Sequence, residues 1–254
     1  MKNIPNFFTL LNLICGSLAI IFILQPGQAI AYIDNLGYSS VILPERIAMG
    51  SLFIFAAAVI DFLDGFVARF FKATSLMGKQ LDSLADVVSF GTAPGMILYQ
   101  LLRISFAREE NGLDVSIAAL LPALLIPCAA AWRLAKFNLS DDQQYSFKGL
   151  PTPAAGITIA SFPLIIWFET MNLQLLFLNK WFLYGVILMF TLLMLSGLPM
   201  LSLKFRDYSV KNNIPAVFLI LVTFAAAFTL QWLAIPVVLV VYILVSLAFK
   251  NKIT

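Results

Sequence analysis

The chain has 254 residues, 61% of them hydrophobic and only 11% charged, with a mean hydropathy of +0.94. A soluble domain carries about 45–50% apolar and about 25% charged residues, so this chain cannot wrap a core in a water-facing shell and reads as an integral membrane protein. A net charge of +3 is too small to suggest nucleic-acid binding, and the absence of histidine removes the commonest general base and zinc ligand.

A bilayer-crossing helix takes about 20 mostly apolar residues. On that ruler the sequence divides into eight spans at approximately 6–24, 46–70, 79–102, 115–137, 152–169, 180–200, 213–229 and 232–249. The first resembles a signal peptide only in position, since one Lys precedes it and no small-residue cleavage site follows before Pro26 and Gly27. Leu230 and Gln231 alone separate the last two, which read either as two spans or as one tilted helix with a re-entrant tip. Cys15 and Cys128 lie inside apolar runs and read as small buried hydrophobes rather than a disulfide pair. The spans follow one another with short polar breaks, so residues 1–254 form a single membrane domain, all-α, with no separate soluble part.

Lys and Arg concentrate in loops on the cytoplasmic side of a membrane. With the N-terminus inside, one face collects Lys2, Arg69, Lys72, Lys79, Arg133, Lys136, Lys148, Lys204, Arg206, Lys211, Lys250 and Lys252, or 12 of the 16. Arg46, Arg103, Arg108 and Lys180 fall on the other. Eight crossings with both termini cytoplasmic account for that imbalance, and six or seven would scatter it.

Acids inside membrane helices are costly and functional by default. Asp61, Asp64, Asp82 and Asp86 cluster at the cytoplasmic ends of the second and third spans. At 100° per residue, Asp61, Asp64, Gly65, Ala68 and Arg69 share an arc of about 140°, and Gly78, Asp82 and Asp86 an arc of about 80°. A tight hairpin between Arg69 and Gly78 would turn the two arcs toward each other. Four carboxylates so close cannot all ionise without cations among them. An all-oxygen ligand set selects hard divalent ions such as Mg²⁺ or Mn²⁺, and two such ions form the clamp used in phosphoryl transfer. Two other readings stand beside this one: acids paired with Arg69, Lys72 and Lys79, or acids lining the path of a cation or proton transporter.

Asp61-x-x-Asp64-Gly65-x-x-Ala68-Arg69, eight residues, then Gly78-x-x-x-Asp82-x-x-x-Asp86 matches the signature of the CDP-alcohol phosphatidyltransferase family at every position. IPNFFTLLNLICGSLAI at 4–20, DSLADVVSFGTAPG at 82–95, RLAKFN at 133–138 and FKGLPTPAAG at 147–156 resemble its phosphatidylserine synthase branch. The resemblance implies a polytopic bundle with a six-helix core, here with two further helices, a cytoplasm-facing cavity and a homodimer. It implies two divalent cations, Mg²⁺ or Mn²⁺, on Asp61, Asp64, Asp82 and Asp86. It places the cytidine diphosphate of CDP-diacylglycerol on Gly65, Ala68, Arg69 and Gly78, and makes Asp86 the general base.

The signature fixes only the CDP half of such a reaction, leaving glycerol phosphate, inositol phosphate or choline open beside serine as acceptor. Serine brings a carboxylate that needs a cation. Arg133 and Lys136, one turn apart at the end of the fourth span, are the candidates, Arg for its two-pronged donor geometry. Both also suit a role as interfacial anchors. Lys148 stands beside Lys136 as a further cation, while Ser89 and Thr92 would bond either substrate or local backbone.

Overall fold

The computed structural model describes residues 4–25, 27, 31–33, 39–41, 43–70, 75–109, 115–139, 147–200 and 214–248. All eight expected spans are helical. They comprise α1 (Ile4–Leu24), α2 (Glu45–Phe70), α3 (Leu76–Asp86) continuing through a π-helical segment Val87–Thr92 into α4 (Ala93–Ala107), α5 (Ile117–Leu120) leading into α6 (Leu125–Leu139), α7 (Thr152–Trp167), α9 (Lys180–Leu195), α10 (Ile214–Leu230) and α11 (Ala234–Ala248), with one short turn of helix, α8 (Gln174–Phe177), before α9. Two small antiparallel pairs complete the described structure, β1 (Ala31–Ile33) with β2 (Ser39–Val41) and β3 (Phe147–Lys148) with β4 (Pro199–Met200).

Among the described residues, five segments are long and apolar enough to cross a membrane: Pro5–Leu24, Glu45–Val67, Leu76–Ala107, Ile117–Leu139 and Val217–Ala248. The last divides at Gln231, whose φ of +50° breaks the helix, and α10 and α11 then pack against each other as a hairpin. α7 and α9 have 16 residues each, a rise of about 24 Å, less than a hydrocarbon core of about 30 Å. The sixth expected span therefore ends at Leu195, not at residue 200. The backbone beyond it is used elsewhere: Gly149 N–H donates to Leu198 O at 2.8 Å and Leu150 N–H to Leu193 O at 3.0 Å. Gly149 itself has φ +77°, and a Cβ there would lie 2.8 Å from the carbonyl oxygens of Met194 and Ser196. Only glycine permits that turn. Cys15 is half-buried and Cys128 exposed, both free, so Cys128 does not occupy the buried position expected of it.

α7 lies at the centre, packed against α2, α4, α6, α9, α11 and the π segment. The core runs through Ile47 and Ile54 of α2, Ile97, Leu98 and Leu101 of α4, and Ile159 and Ile165 of α7, all fully buried. Small residues let three helices close on the π segment. An added Cβ at Gly16 of α1 would sit 2.8 Å from Ser89 Cα, at Gly91 2.8 Å from Ala130 Cβ of α6, and at Gly156 of α7 2.8 Å from Phe90 O. Close backbone approach through small residues is how membrane helices gain van der Waals contact where no hydrophobic drive exists. Ser89 Oγ donates to Asn12 O at 3.1 Å and Thr92 Oγ1 to Val87 O at 3.1 Å, satisfying groups that the wider helix leaves open.

Candidate active site

The N-terminal turns of α1, α3 and α7 and the C-terminal turns of α2 and α6 meet at one end of the bundle. Side-chain bonds record it: Thr9 to Asp64, Lys79 to Asn138, and Arg133 to Thr152. At the opposite end Lys180 pairs with Glu109 at 2.6 Å and lies over the rings of Phe106 and Trp181. The alternation inferred from the charge count is thus matched by which helix ends share a face.

Asp61, Asp82 and Asp86 bring carboxylate oxygens within 4.8 Å of one another. Asp86 is 8% exposed, and Asp61 and Asp82 are half-buried. The helices achieve this differently from a simple hairpin. α2 and α3 have little direct backbone contact; both lie against α1, which fills the space behind the acids. Asn12 Nδ2 donates to Asp86 Oδ1 at 3.5 Å, and Thr9 Oγ1 donates to Asp64 Oδ2. Asp64, the fourth expected ligand, is 7% exposed and stands outside the trio, its carboxylate turned to Thr9. It remains within electrostatic range of Asp61 and Asp82. The segment joining the two halves of the acidic motif, 71–74, lies outside the described residues.

A hard divalent cation fits this donor set. The ligand atoms are all oxygen and lie within 4.8 Å of one another, a spacing that three anions do not hold without positive charge among them. Gly65 leaves room above the cluster: an added Cβ would meet only Arg69 Nη2, at 4.0 Å. Arg69 Nε donates to Gly65 O at 2.8 Å, and the side chain is exposed. Gly78 sits in the first turn of α3, its N–H capped by Ser75 Oγ at 2.9 Å, with Asn6 Oδ1 of α1 3.1 Å from where a Cβ would be. Ala68 is placed on α2, one turn beyond Asp64.

The two acceptor candidates on α6 differ in burial, Arg133 being half-buried and Lys136 exposed. Arg133 is half-buried, donates from Nη1 to Thr152 Oγ1 at 3.2 Å, and lies within electrostatic range of Asp86 and of Tyr242 on α11. Its Nε is buried with no partner among the described residues. Lys136 is exposed and lines, with Arg133 itself, a small cleft that Trp132, Phe137, Met194 and Ser196 complete. Lys148 is in β3. Ser89 and Thr92 bond backbone carbonyls of α1 and of the π segment. Sequence reasoning missed Thr9, Asn12, Thr152 and Tyr242. The first two carried a signal, for a hydroxyl and an amide three residues apart in an apolar helix share one face. Tyr242 carried none, because nothing in the chain order brings α11 to α6.

Carboxylates gathered at one end of a polytopic helical bundle, beside an open glycine and a half-buried arginine, define a membrane-embedded centre for a divalent cation and an anionic substrate. The sequence profile of the CDP-alcohol phosphatidyltransferases matches residues 2–194, and the chain belongs to that family of transferases. The match ends in the last turn of α9, leaving α10 and α11 beyond it. The chain is similar to the CDP-diacylglycerol–serine O-phosphatidyltransferase of Bacillus subtilis, 34% identical over 187 residues covering 71% of this chain and 89% of that protein. It is similar to the enzyme of the same name from Helicobacter pylori J99, 30% identical over 94% of this chain and 87% of that one. It also resembles the archaetidylserine synthase of Methanothermobacter thermautotrophicus, 31% identical over 54% of this chain and 56% of that protein.

Proposed function

We propose that the protein transfers the phosphatidyl group of CDP-diacylglycerol to the hydroxyl of serine, giving phosphatidylserine and CMP, at a site facing the cytoplasm. The observation that carries this is the convergence of Asp61, Asp82 and Asp86 within 4.8 Å beside the open Gly65, on a complete family signature. Relatives whose names specify serine support the choice of acceptor. The charge count, 12 cations against four, supports the cytoplasmic face.

Asp61, Asp82 and Asp86, joined by Asp64 once its carboxylate leaves Thr9, would hold two divalent cations, Mg²⁺ or Mn²⁺. When bound, the cations neutralise the diphosphate and the charge developing on the departing CMP. Gly65 and Gly78 let the diphosphate approach α2 and the start of α3, Ala68 keeps the next turn of α2 small, and exposed Arg69 neutralises the nucleotide's phosphates. Diacylglycerol tails leave sideways between helices into lipid. Arg133 and Lys136 draw the serine carboxylate to the cluster's edge. Asp86, oriented by Asn12, accepts the hydroxyl proton as the serine oxygen bonds to the phosphorus bearing diacylglycerol. The bond from that phosphorus to the CMP oxygen breaks, and CMP carries the electron pair away. Two copies of the chain form a homodimer within the membrane, which cross-linking in native lipid tests.

Purified protein incubated with CDP-diacylglycerol, a divalent cation and one alcohol at a time distinguishes the acceptors by CMP release. Serine is expected to give it, and glycerol phosphate, inositol phosphate and choline are not. CMP release with one of those and not with serine reassigns the acceptor; ion flux without CMP marks a transporter.

A further inference from the structure

The acceptor cations and the carboxylates sit on different helices, Arg133 and Lys136 on α6, Asp82 and Asp86 on α3. Their separation has to be held to within about an ångström for an attacking hydroxyl to meet both, since a misplacement of that size costs about 100-fold in rate. Membrane helices are held together by close packing, and polar bonds between them add contacts of fixed direction and position.

One set of bonds ties the two helices at the site's end of the bundle. Asn138 Nδ2, in the last turn of α6, donates to Ser83 Oγ of α3 at 2.8 Å. Ser83 Oγ donates in turn to Lys79 O at 3.2 Å. Lys79 Nζ returns to Asn138 O at 3.4 Å and lies 5.9 Å from the Phe137 ring centroid. Ser83 follows Asp82 directly and precedes Asp86 by three residues. The loop of bonds is therefore anchored between the two acids that α3 contributes. Asn138 Oδ1 is buried with no partner among the described residues. Burying an amide costs desolvation that an apolar side chain in the same place would avoid. A directional bond at a fixed place does what an apolar contact cannot.

We propose that Asn138, acting through Ser83, is a positioning residue that sets the distance between the acceptor-binding end of α6 and the carboxylates of α3. The proposal rests on the reading of Arg133 as the acceptor's partner. Asn138 touches neither substrate; its effect reaches the reaction through where Arg133 stands.

Steady-state CMP release with each substrate varied in turn tests this. Asn138→Ala is expected to raise the serine KM about tenfold while leaving the CDP-diacylglycerol KM within about twofold, a split that general loosening of the fold does not produce. Asn138→Leu fills the volume, so it keeps thermal stability and shows the same rise. Ser83→Ala repeats the effect, the double variant is no worse than either single one, and Ser83→Thr, which retains the hydroxyl, stays close to wild type. Additive losses for Ser83→Ala and Asn138→Ala, equal changes in both KM values, or a wild-type serine KM in Asn138→Leu would overturn the proposal. If the wild type uses a different alcohol, the acceptor assignment fails by itself, and the same variants are run with that alcohol, whose KM is then the one expected to rise.

Discussion

Arg133→Ala removes a half-buried guanidinium within electrostatic range of Asp86. Three features of the structure set the size of the effect. Nη1 is tied to Thr152 Oγ1 at 3.2 Å, Nε is buried and unpartnered among the described residues, and Asp86 lies in electrostatic range. The side chain is thus held in place with a donor free for an incoming carboxylate. Truncating one partner of a desolvated charge pair costs about 2–5 kcal/mol, and the partial exposure of Arg133 places it at the lower end. About 2 kcal/mol is about 30-fold in the serine KM. Arg133→Lys restores the charge but not the fork and recovers part of the loss. Thr152→Val releases only the Nη1 tether, a loss of about 1 kcal/mol or about fivefold. The CDP-diacylglycerol KM stays within about threefold in all three, since the proposed nucleotide contacts Gly65 and Arg69 belong to α2 and Arg133 to α6. The assay is CMP release from detergent-solubilised protein at saturating CDP-diacylglycerol with serine titrated, after thermal melts confirm folding. A wild-type serine KM in Arg133→Ala would refute the reasoning, make Arg133 an interfacial anchor, and move the carboxylate to Lys136 or Lys148.

Asp61→Asn, Asp64→Asn and Asp82→Asn are each expected to abolish turnover, as chelation of divalent cations should; full activity in excess chelator would remove the metal from the scheme. Asp86→Asn should be equally inactive yet keep more CDP-diacylglycerol binding, measured by displacement of labelled nucleotide lipid, because its main task is proton removal. Gly156→Ala forces a Cβ to within 2.8 Å of Phe90 O and should lower stability by about 1–3 kcal/mol, read as a drop in Tm, whereas Gly185→Ala, with nothing within 4 Å, should leave Tm unchanged. A membrane-impermeant thiol reagent applied from the cytoplasmic side should label Thr74→Cys and spare Asn111→Cys; the reverse would invert the orientation.

The acidic cluster was legible in the sequence because the cost of an acid in hydrocarbon makes each intramembrane aspartate conspicuous, and helical periodicity shows which of them share a face. Gly65 and Gly78 were legible for the same reason. Arg133 could be named but not placed. Its standing above Lys136 follows from α7, whose Thr152 anchors the guanidinium, and nothing in RLAKFN states that Thr152 is the neighbour. Boundaries were legible only where the chain itself sets them. The sixth span looked apolar as far as residue 200, yet it stops at Leu195 because Gly149 and Leu150, some 45 residues earlier, claim the carbonyls of Leu198 and Leu193.

By itself the sequence determined the solvent, the helical class and the chemistry of the acids, since hydropathy, length and periodicity are properties of single segments and are read one segment at a time. Tertiary structure decided which of the acids meet. The hairpin drawn from two helical arcs has α2 and α3 facing each other directly. In the fold α1 stands behind both, Thr9 draws Asp64 out of the trio, and Asn12 fixes Asp86. The π segment between α3 and α4 is then closed upon by α1, α6 and α7, through the close approaches at Gly16, Gly91 and Gly156. These are packing decisions among elements distant in the chain, and an apolar helix offers many faces on which such packing costs nearly the same; only the full set of close contacts selects one.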